Sequence, residues 1–167
     1  MLKTLTDEEI RILTTLEEKG NIPNAELALL IKIDEAKVRE IIKNLTEQEI
    51  ILKYKAIINW EKIESPGVAA VIQVTASPRK GEGYDEVAHA ISSFEEVRTC
   101  LLVSGSFDLL VEVEGPSLKA VAFFVADKLA TIDGVEHTRT NFLLKRYKQG
   151  GDLLNVSGTT HRLPLSM

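Results

Sequence analysis

At Glu49 the spacing of apolar residues changes from a period of 3.6 to a period of 2, which divides an all-helical head from a part that contains strands. Upstream, Thr6 is an N-cap and Glu9 three residues on completes a capping box, with Leu5 and Ile10 placed as a hydrophobic staple. Ile10, Leu13 and Leu16 then recur at helical spacing, and Gly20 and Asn21 stop the helix. A short second helix is expected from Asn24 as its cap, with Leu27, Leu30 and Ile31 buried and a turn at Lys32 and Ile33. Asp34 caps a third helix, where Val38, Ile41, Ile42 and Leu45 mark one buried face. Three short helices with a tight turn between the second and third read as a helix-turn-helix, whose third helix enters the major groove of DNA.

Opposite the apolar stripe of the third helix lie Ala36, Glu40, Lys43 and Glu47, flanked by Lys37 and Arg39. Lys37, Arg39 and Lys43 can meet phosphates or guanine edges, Ala36 a thymine methyl, and Glu40 the N4 amine of cytosine. Lys32, Lys53 and Lys55 add charge on either side, and these nine residues less Glu47 are the eight candidate DNA contacts. On an exposed helix such charges are also ordinary solvated residues, so the arrangement of helices is the stronger signal.

Downstream of the switch, Leu52, Tyr54, Ala56, Ile58 and Trp60 alternate with polar positions, which predicts a half-buried strand over 51–59. Such a strand needs a partner for its backbone groups, and a second copy of the chain is the simplest one. Ser65-Pro66-Gly67 marks a break. Beyond it come an apolar strand Val68–Ala76, a loop from Pro78 to Gly83, and a helix carrying Val87, Ile91 and Phe94. A strand Val97–Val103 follows, then one alternating at Phe107, Leu109, Val111 and Val113. A helix with Leu118, Val121, Ala122, Val125, Leu129 and Ile132 on one stripe leads to a last strand, Val135–Tyr147. The order βαββαβ is a ferredoxin-like unit with helices on one face of an antiparallel sheet. The uncovered face invites packing of two sheets, so a dimer is expected, with two recognition helices for a palindromic site.

The fold class is therefore α+β: an N-terminal helix-turn-helix at 1–50, a connecting strand and linker at 51–67, a ferredoxin-like βαββαβ sandwich domain at 68–147, and a C-terminal tail at 148–167. In the tail, Leu153, Leu154, Val156, Leu163 and Leu165 are available to pack on another subunit.

Charge and cysteine content bound the function. The net charge is -5, and residues 1–65 hold ten basic and thirteen acidic side chains, so any DNA contact must come from a local stripe repeated in a symmetric assembly. The single cysteine, Cys100, precludes an intrachain disulfide and fits reducing surroundings. The start of the chain is polar with no signal-peptide pattern, and the longest charge-free stretch, Ser65–Pro78, falls short of the ~18 apolar residues of a membrane span. A cytoplasmic protein without membrane contact is expected. His89, His137 and His161 lack metal-site spacing, no phosphate-loop or nucleophile-elbow pattern occurs, and neither a cofactor nor an enzyme activity is indicated.

The stretches LTDEEIRILTTLEEKG, NAELALLIKIDEAKVREIIKNLTEQEIILKYKAIIN and VSGSFDLLVEVEG together resemble the Lrp/AsnC family, the feast/famine regulators, over nearly the entire chain. The run Ile50–Asn59 and the Gly-x-x-Asp turn at Gly105 and Asp108 carry most of the likeness. The resemblance implies a winged helix-turn-helix joined by the strand at 51–59 to a ligand-sensing domain, in a regulator of transcription that binds a pseudo-palindromic double-stranded operator, assembles as a homodimer and further, for instance to an octamer, and responds to an amino acid or similar small molecule. It places the effector pocket at the glycine turn, at a contact between dimers. Backbone N–H groups of Ser104, Gly105 and Ser106 suit a carboxylate, Asp108 an ammonium, and Thr138 and Thr140 offer hydroxyls. The bland reading is that Gly105 serves the turn and Asp108 caps it. Two positions depart from the family pattern: Glu40 stands where relatives carry basic or polar residues, and Glu49 replaces a glycine that follows the third helix. Two other readings stay open, a tetrapyrrole (sirohaem) decarboxylase-like enzyme and a module that docks protein instead of DNA.

Overall fold

A computed structural model of the chain describes residues 3–64, 67–78, 81 and 83–154, which divide into two compact units. One contains the chain up to Ile58 together with Lys148–Leu153; the other runs from Asn59 to Tyr147 with Leu154. Ser65, Pro66, much of the loop before Gly83, His161, and Val156, Leu163 and Leu165 of the tail lie outside the described residues.

The first unit holds helices α1 (Asp7–Lys19), α2 (Asn24–Ile31) and α3 (Glu35–Glu47). The capping box forms as read: Thr6 Oγ1 accepts from Glu9 N–H, and the Glu9 carboxylate accepts from Thr6 N–H at 2.8 Å. The core joins Ile12, Leu16, Leu27, Ala28, Ile31 and Val38, with Ile41 and Ile42 packed against it, and Leu45 is fully buried as well. Two positions differ from expectation. Ile12, not Ile10, is buried, and Ala28 replaces Leu30, while Ile10 and Leu30 are each 47 % exposed. In each case the helix has apolar residues on adjacent faces, and packing chooses one. Pro23, not Asn24, holds the N-cap position of α2; its missing N–H costs nothing there, where intrahelical donors are unpaired in any case.

Residues 51–59 enter no ladder among the described residues, so the expected half-buried strand has no partner within a single chain. Leu52 is 79 % exposed, and Tyr54, Ile57 and Ile58 are also exposed, so neither alternating face is covered within one chain. Alternation reports a capacity to pair, and the strand appears only where backbone partners exist.

The start of the tail is structured. Lys148–Gln149 (β5) and Asp152–Leu153 (β6) form a hairpin around Gly150 and Gly151, both at positive φ (54° and 92°). A two-residue turn with positive φ at both positions matches the twist of a hairpin, and glycine adopts it without strain. A Cβ on Gly150 would stand 2.9 Å from Cδ1 of Ile57, so the hairpin sits against the segment after α3 within the first unit.

The second unit is the expected βαββαβ: β1 (Val68–Ala76), α4 (Asp85–Ser92), β2 (Val97–Leu102), β3 (Leu109–Gly115), α5 (Leu118–Phe123) and β4 (Val135–Phe142). The sheet is antiparallel in the order β2-β3-β1-β4. Ala70, Ile72, Val74 and Ala76 of β1 and Leu109, Val111 and Val113 of β3 face α4 and α5 and form the core with Val87, Ile91, Val121, Phe124 and Leu129. Burying the five Val, Leu and Ile side chains among these strand residues, at roughly 1.5–3 kcal/mol each, is what holds the helices to the sheet. The second helix is shorter than its apolar stripe: after Phe123 it widens into a π turn, Phe124–Lys128, and ends in a 3-10 turn, Leu129–Thr131. Phe124, three residues after Val121, is buried with it in the core, and Leu118 is 56 % exposed. The last strand stops at Phe142, not Tyr147, and β3 begins at Leu109, after Phe107.

The opposite face of the sheet is mixed, with Ala69, Val71, Leu101 and Leu110 among polar residues. Its residues include Gln73, Thr75, Thr99, Glu112, Arg139 and Asn141, deduced from their pairing one step out of register with the core set. The Arg146 guanidinium is paired to the Glu112 carboxylate there, which also accepts from Thr99 Oγ1 at 3.3 Å.

Candidate functional site

The turn between α2 and α3 is set by Lys32, a non-glycine residue at φ 58° whose N–H bonds back to the Ala28 carbonyl. Ile33 N–H reaches the same oxygen at 3.2 Å, so one carbonyl closes the turn and fixes where α3 starts. Asp34 stands at the N-cap as expected, although its side chain makes no capping bond.

From that start, α3 points Val38 and Leu45 inward and leaves Ala36, Lys37, Arg39, Glu40 and Lys43 exposed. Lys32, Lys53 and Lys55 are exposed too. The three bases on α3 are each held by a carboxylate. Lys37 Nζ is 2.6 Å from Glu8 of α1, Arg39 is 2.9 Å from Glu35, and Lys43 is 3.8 Å from Glu47. Exposed ion pairs contribute only about 0.2–1 kcal/mol, so a phosphate can replace these partners at little cost. The helix thus presents a stripe of Arg and Lys whose geometry is set in advance and whose charge is released by exchange.

In the second unit, the turn from Val103 to Asp108 is closed by Val103 N–H to the Asp108 carbonyl at 2.9 Å, and Asp108 N–H reaches the Val74 carbonyl at 3.0 Å. The Asp108 carboxylate accepts from Ala76 N–H at 2.9 Å and from the Tyr84 hydroxyl. That hydroxyl bond, with lesser contributions from burial and from the charges of Asp108 and Glu136, raises the Tyr84 pKa above its ordinary 10.0. Ser104, Gly105 and Ser106 are exposed on the turn. Gly105 has φ 159°, close to extended, and a Cβ there would meet nothing within 4 Å.

Thr138 and Thr140 pair with Val74 and Ile72 on β4, so they share the helix-covered face, with β1 between them and β3. Two strand spacings, roughly 10 Å, separate β4 from β3. The structure therefore brings Asp108 together with Tyr84 and Ala76, and sets the two threonines apart on the far side of β1. Sequence reasoning missed Tyr84. It precedes α4 as a lone aromatic, and only the three-dimensional approach to Asp108, 24 residues away along the chain, singles it out.

Cys100 pairs opposite Val111 on the core side, and burial pushes its thiol pKa up, which suits a packing residue more than a nucleophile. His89 and His137 are exposed on α4 and β4, and among the described residues no group of three His, Cys, Asp or Glu side chains is arranged to hold a metal. No described helix is long and apolar enough to cross a membrane.

Known proteins supply the comparison. The profile of the Lrp/AsnC ligand binding domain matches residues 69–153, and that of a winged helix-turn-helix DNA-binding domain matches residues 6–51. The chain is 39 % identical to the uncharacterized HTH-type transcriptional regulator YugG of Bacillus subtilis, over 97 % of this chain and 98 % of that protein. It is 29 % identical to the leucine-responsive regulatory protein of Haemophilus influenzae, over 88 % of each. Among solved structures, a transcriptional regulator from Neisseria meningitidis in complex with L-Met is 26 % identical with a TM-score of 0.66, covering 87 % of this chain and 94 % of that one. The leucine response regulatory protein of Mycobacterium tuberculosis shares the fold at a TM-score of 0.71 and 21 % identity, over 90 % of this chain and 100 % of that one. With both profiles in chain order and a relative at 39 % identity along almost the full length, the chain belongs to the Lrp/AsnC family of helix-turn-helix transcriptional regulators.

Proposed function

We propose that this regulator binds a pseudo-palindromic operator as a cytoplasmic homodimer or a larger assembly of dimers, and that an amino acid bound beside Asp108 changes which assembly is favoured. It is read as a regulator without enzymatic activity. The domain roles follow: 1–50 contacts DNA, 51–67 connects, 68–147 senses and assembles, and the hairpin at the start of the 148–167 tail braces the first unit. Arg39 and Lys43, with Lys37, Lys32, Lys53 and Lys55 around them, contact the duplex; Ala36 and Glu40 face base edges.

The observation that carries the DNA half of the reading is the exposed row of bases on α3, each paired loosely enough to exchange for phosphate. For the effector half it is the half-buried carboxylate of Asp108, beside the exposed backbone of Ser104, Gly105 and Ser106. A carboxylate offers about four lone-pair sites, so Ala76 N–H and the Tyr84 hydroxyl leave room for an ammonium. The turn amides suit the ligand's carboxylate, and Thr138 and Thr140 serve only a ligand that reaches β4. The L-Met complex of the Neisseria relative supports an amino acid as the class of ligand. Such a ligand acts by its differential affinity for two assemblies, typically 1–3 kcal/mol of coupling.

The test is binding of the purified chain to the DNA upstream of its own gene, with and without each amino acid, alongside light scattering. Salt-sensitive, sequence-specific binding by a dimer or larger species is expected. A lone protomer at working concentration, or binding indifferent to sequence, refutes the reading.

A further inference from the structure

We infer that Glu40 selects a cytosine in the major groove of each half-site, an inference that rests on the DNA-binding reading above. Of the acids on α3, Glu35 is committed to Arg39 and Glu47 to Lys43, and Lys37 is taken by Glu8 of α1. Glu40 has no hydrogen-bond or ion-pair partner among the described residues, although Arg39 is its neighbour and Lys43 lies three positions on. Its carboxylate is exposed on the helix face opposite Val38 and Leu45, the face that meets a groove if α3 enters one.

An unpaired carboxylate in that position is unfavourable against any duplex, because the phosphates lie within the ~8 Å reach of charge at physiological salt. Only a base edge that donates without an adjacent acceptor offsets the cost. On its own major-groove edge cytosine presents only a donor, the N4 amine, whereas adenine places the N7 acceptor beside its N6 amine. Guanine offers two acceptors and thymine one, and both repel a carboxylate. Glu40 therefore acts as much by rejecting three bases as by accepting from the fourth.

Glu40→Gln separates charge from shape. It removes no contact of the folded chain, and glutamine and glutamate are similar helix formers, so the fold is retained. A glutamine amide pairs with adenine N6 and N7 instead. Selection from a randomised duplex library with the full chain, followed by fluorescence anisotropy on the selected sites, reads the result. Wild type is expected to enrich cytosine at one position per half-site. Glu40→Gln is expected to shift that position toward adenine, changing the ratio of the two affinities by about tenfold, and to bind non-specific duplex more tightly. The same base preference at every position in both proteins overturns the inference while leaving the DNA-binding reading intact. Failure of wild type to enrich any motif, with Arg39→Ala/Lys43→Ala binding unaltered, overturns the DNA-binding reading itself and this inference with it.

Discussion

The carboxylate of Asp108 accepts a hydrogen bond at 2.9 Å from the backbone N–H of Ala76, the residue at which the pairing of β1 with β4 slips out of register. The ladder between β1 and β3 has already ended at Val74 and Leu109, so a side chain provides the next rung. A site proposed for an effector is thereby also a structural joint.

Those two roles come apart by substitution. Asp108→Ala leaves the Ala76 N–H unpaired and is expected to cost about 1–3 kcal/mol of stability. Asp108→Asn keeps an oxygen for that N–H but no charge for an ammonium, and is expected to lose much less. Both should abolish an amino-acid response while DNA binding persists. Urea unfolding and gel shifts with added amino acid measure the two effects; a full response in Asp108→Asn would move the effector elsewhere.

Glu49 occupies a glycine conformation at φ 56°, just after α3. An L side chain in that region costs roughly 1–2 kcal/mol, and glycine gives back about half of that through its freer unfolded chain. Glu49→Gly is therefore expected to raise stability by up to about 1 kcal/mol, seen as a higher urea midpoint by circular dichroism. A lower midpoint would mean that Glu49 makes a compensating contact elsewhere.

The double substitution Arg39→Ala/Lys43→Ala should weaken operator binding at least tenfold without altering oligomer size. Each lost phosphate contact should flatten the salt dependence by about 0.9 in log–log slope. Anisotropy titrations across a salt series test both numbers at once. Unchanged affinity would remove α3 from the contact.

Glu9 is held down to about 2 from its ordinary 4.5, chiefly by its hydrogen bond from Lys3 and then by the Thr6 N–H. Because the folded value is depressed, the contribution to stability is present above pH 4.5 and is lost as pH falls toward 2. Wild type should lose stability through that window more steeply than Glu9→Gln, by acid titration of the helical signal at 222 nm. Parallel curves would show that the capping box carries no ionic component.

How much of this was legible in the sequence varies by the range of the interaction. The capping box and the stripe of α3 depend on residues within a turn or two of each other, and both are plain in the sequence. The βαββαβ order followed from period alone. Ile10 and Leu30 misled because α1 and α2 carry more apolar residues than one face can bury, and only the neighbouring helices decide which are chosen. The strand expected at 51–59 had the right alternation, but alternation cannot supply a partner. Phe124 escaped because the apolar stripe runs equally well through Leu118, Val121 and Val125, whereas the sheet buries Val121 and Phe124 and leaves Leu118 exposed. At the candidate sites, the exposed α3 residues lie where the helical wheel put them, whereas Tyr84 joined Asp108 through the fold alone and Thr138 and Thr140 fell on the other side of β1.

The Gly150–Gly151 hairpin returns the far end of the chain to the helical unit, against Ile57. The helical unit is consequently discontinuous in sequence, and a ribosome completes it only after every strand of the sheet has been made. A fragment ending at residue 58 would lack a piece of its own fold, and a nascent chain cannot present a finished reading head before its sensor exists.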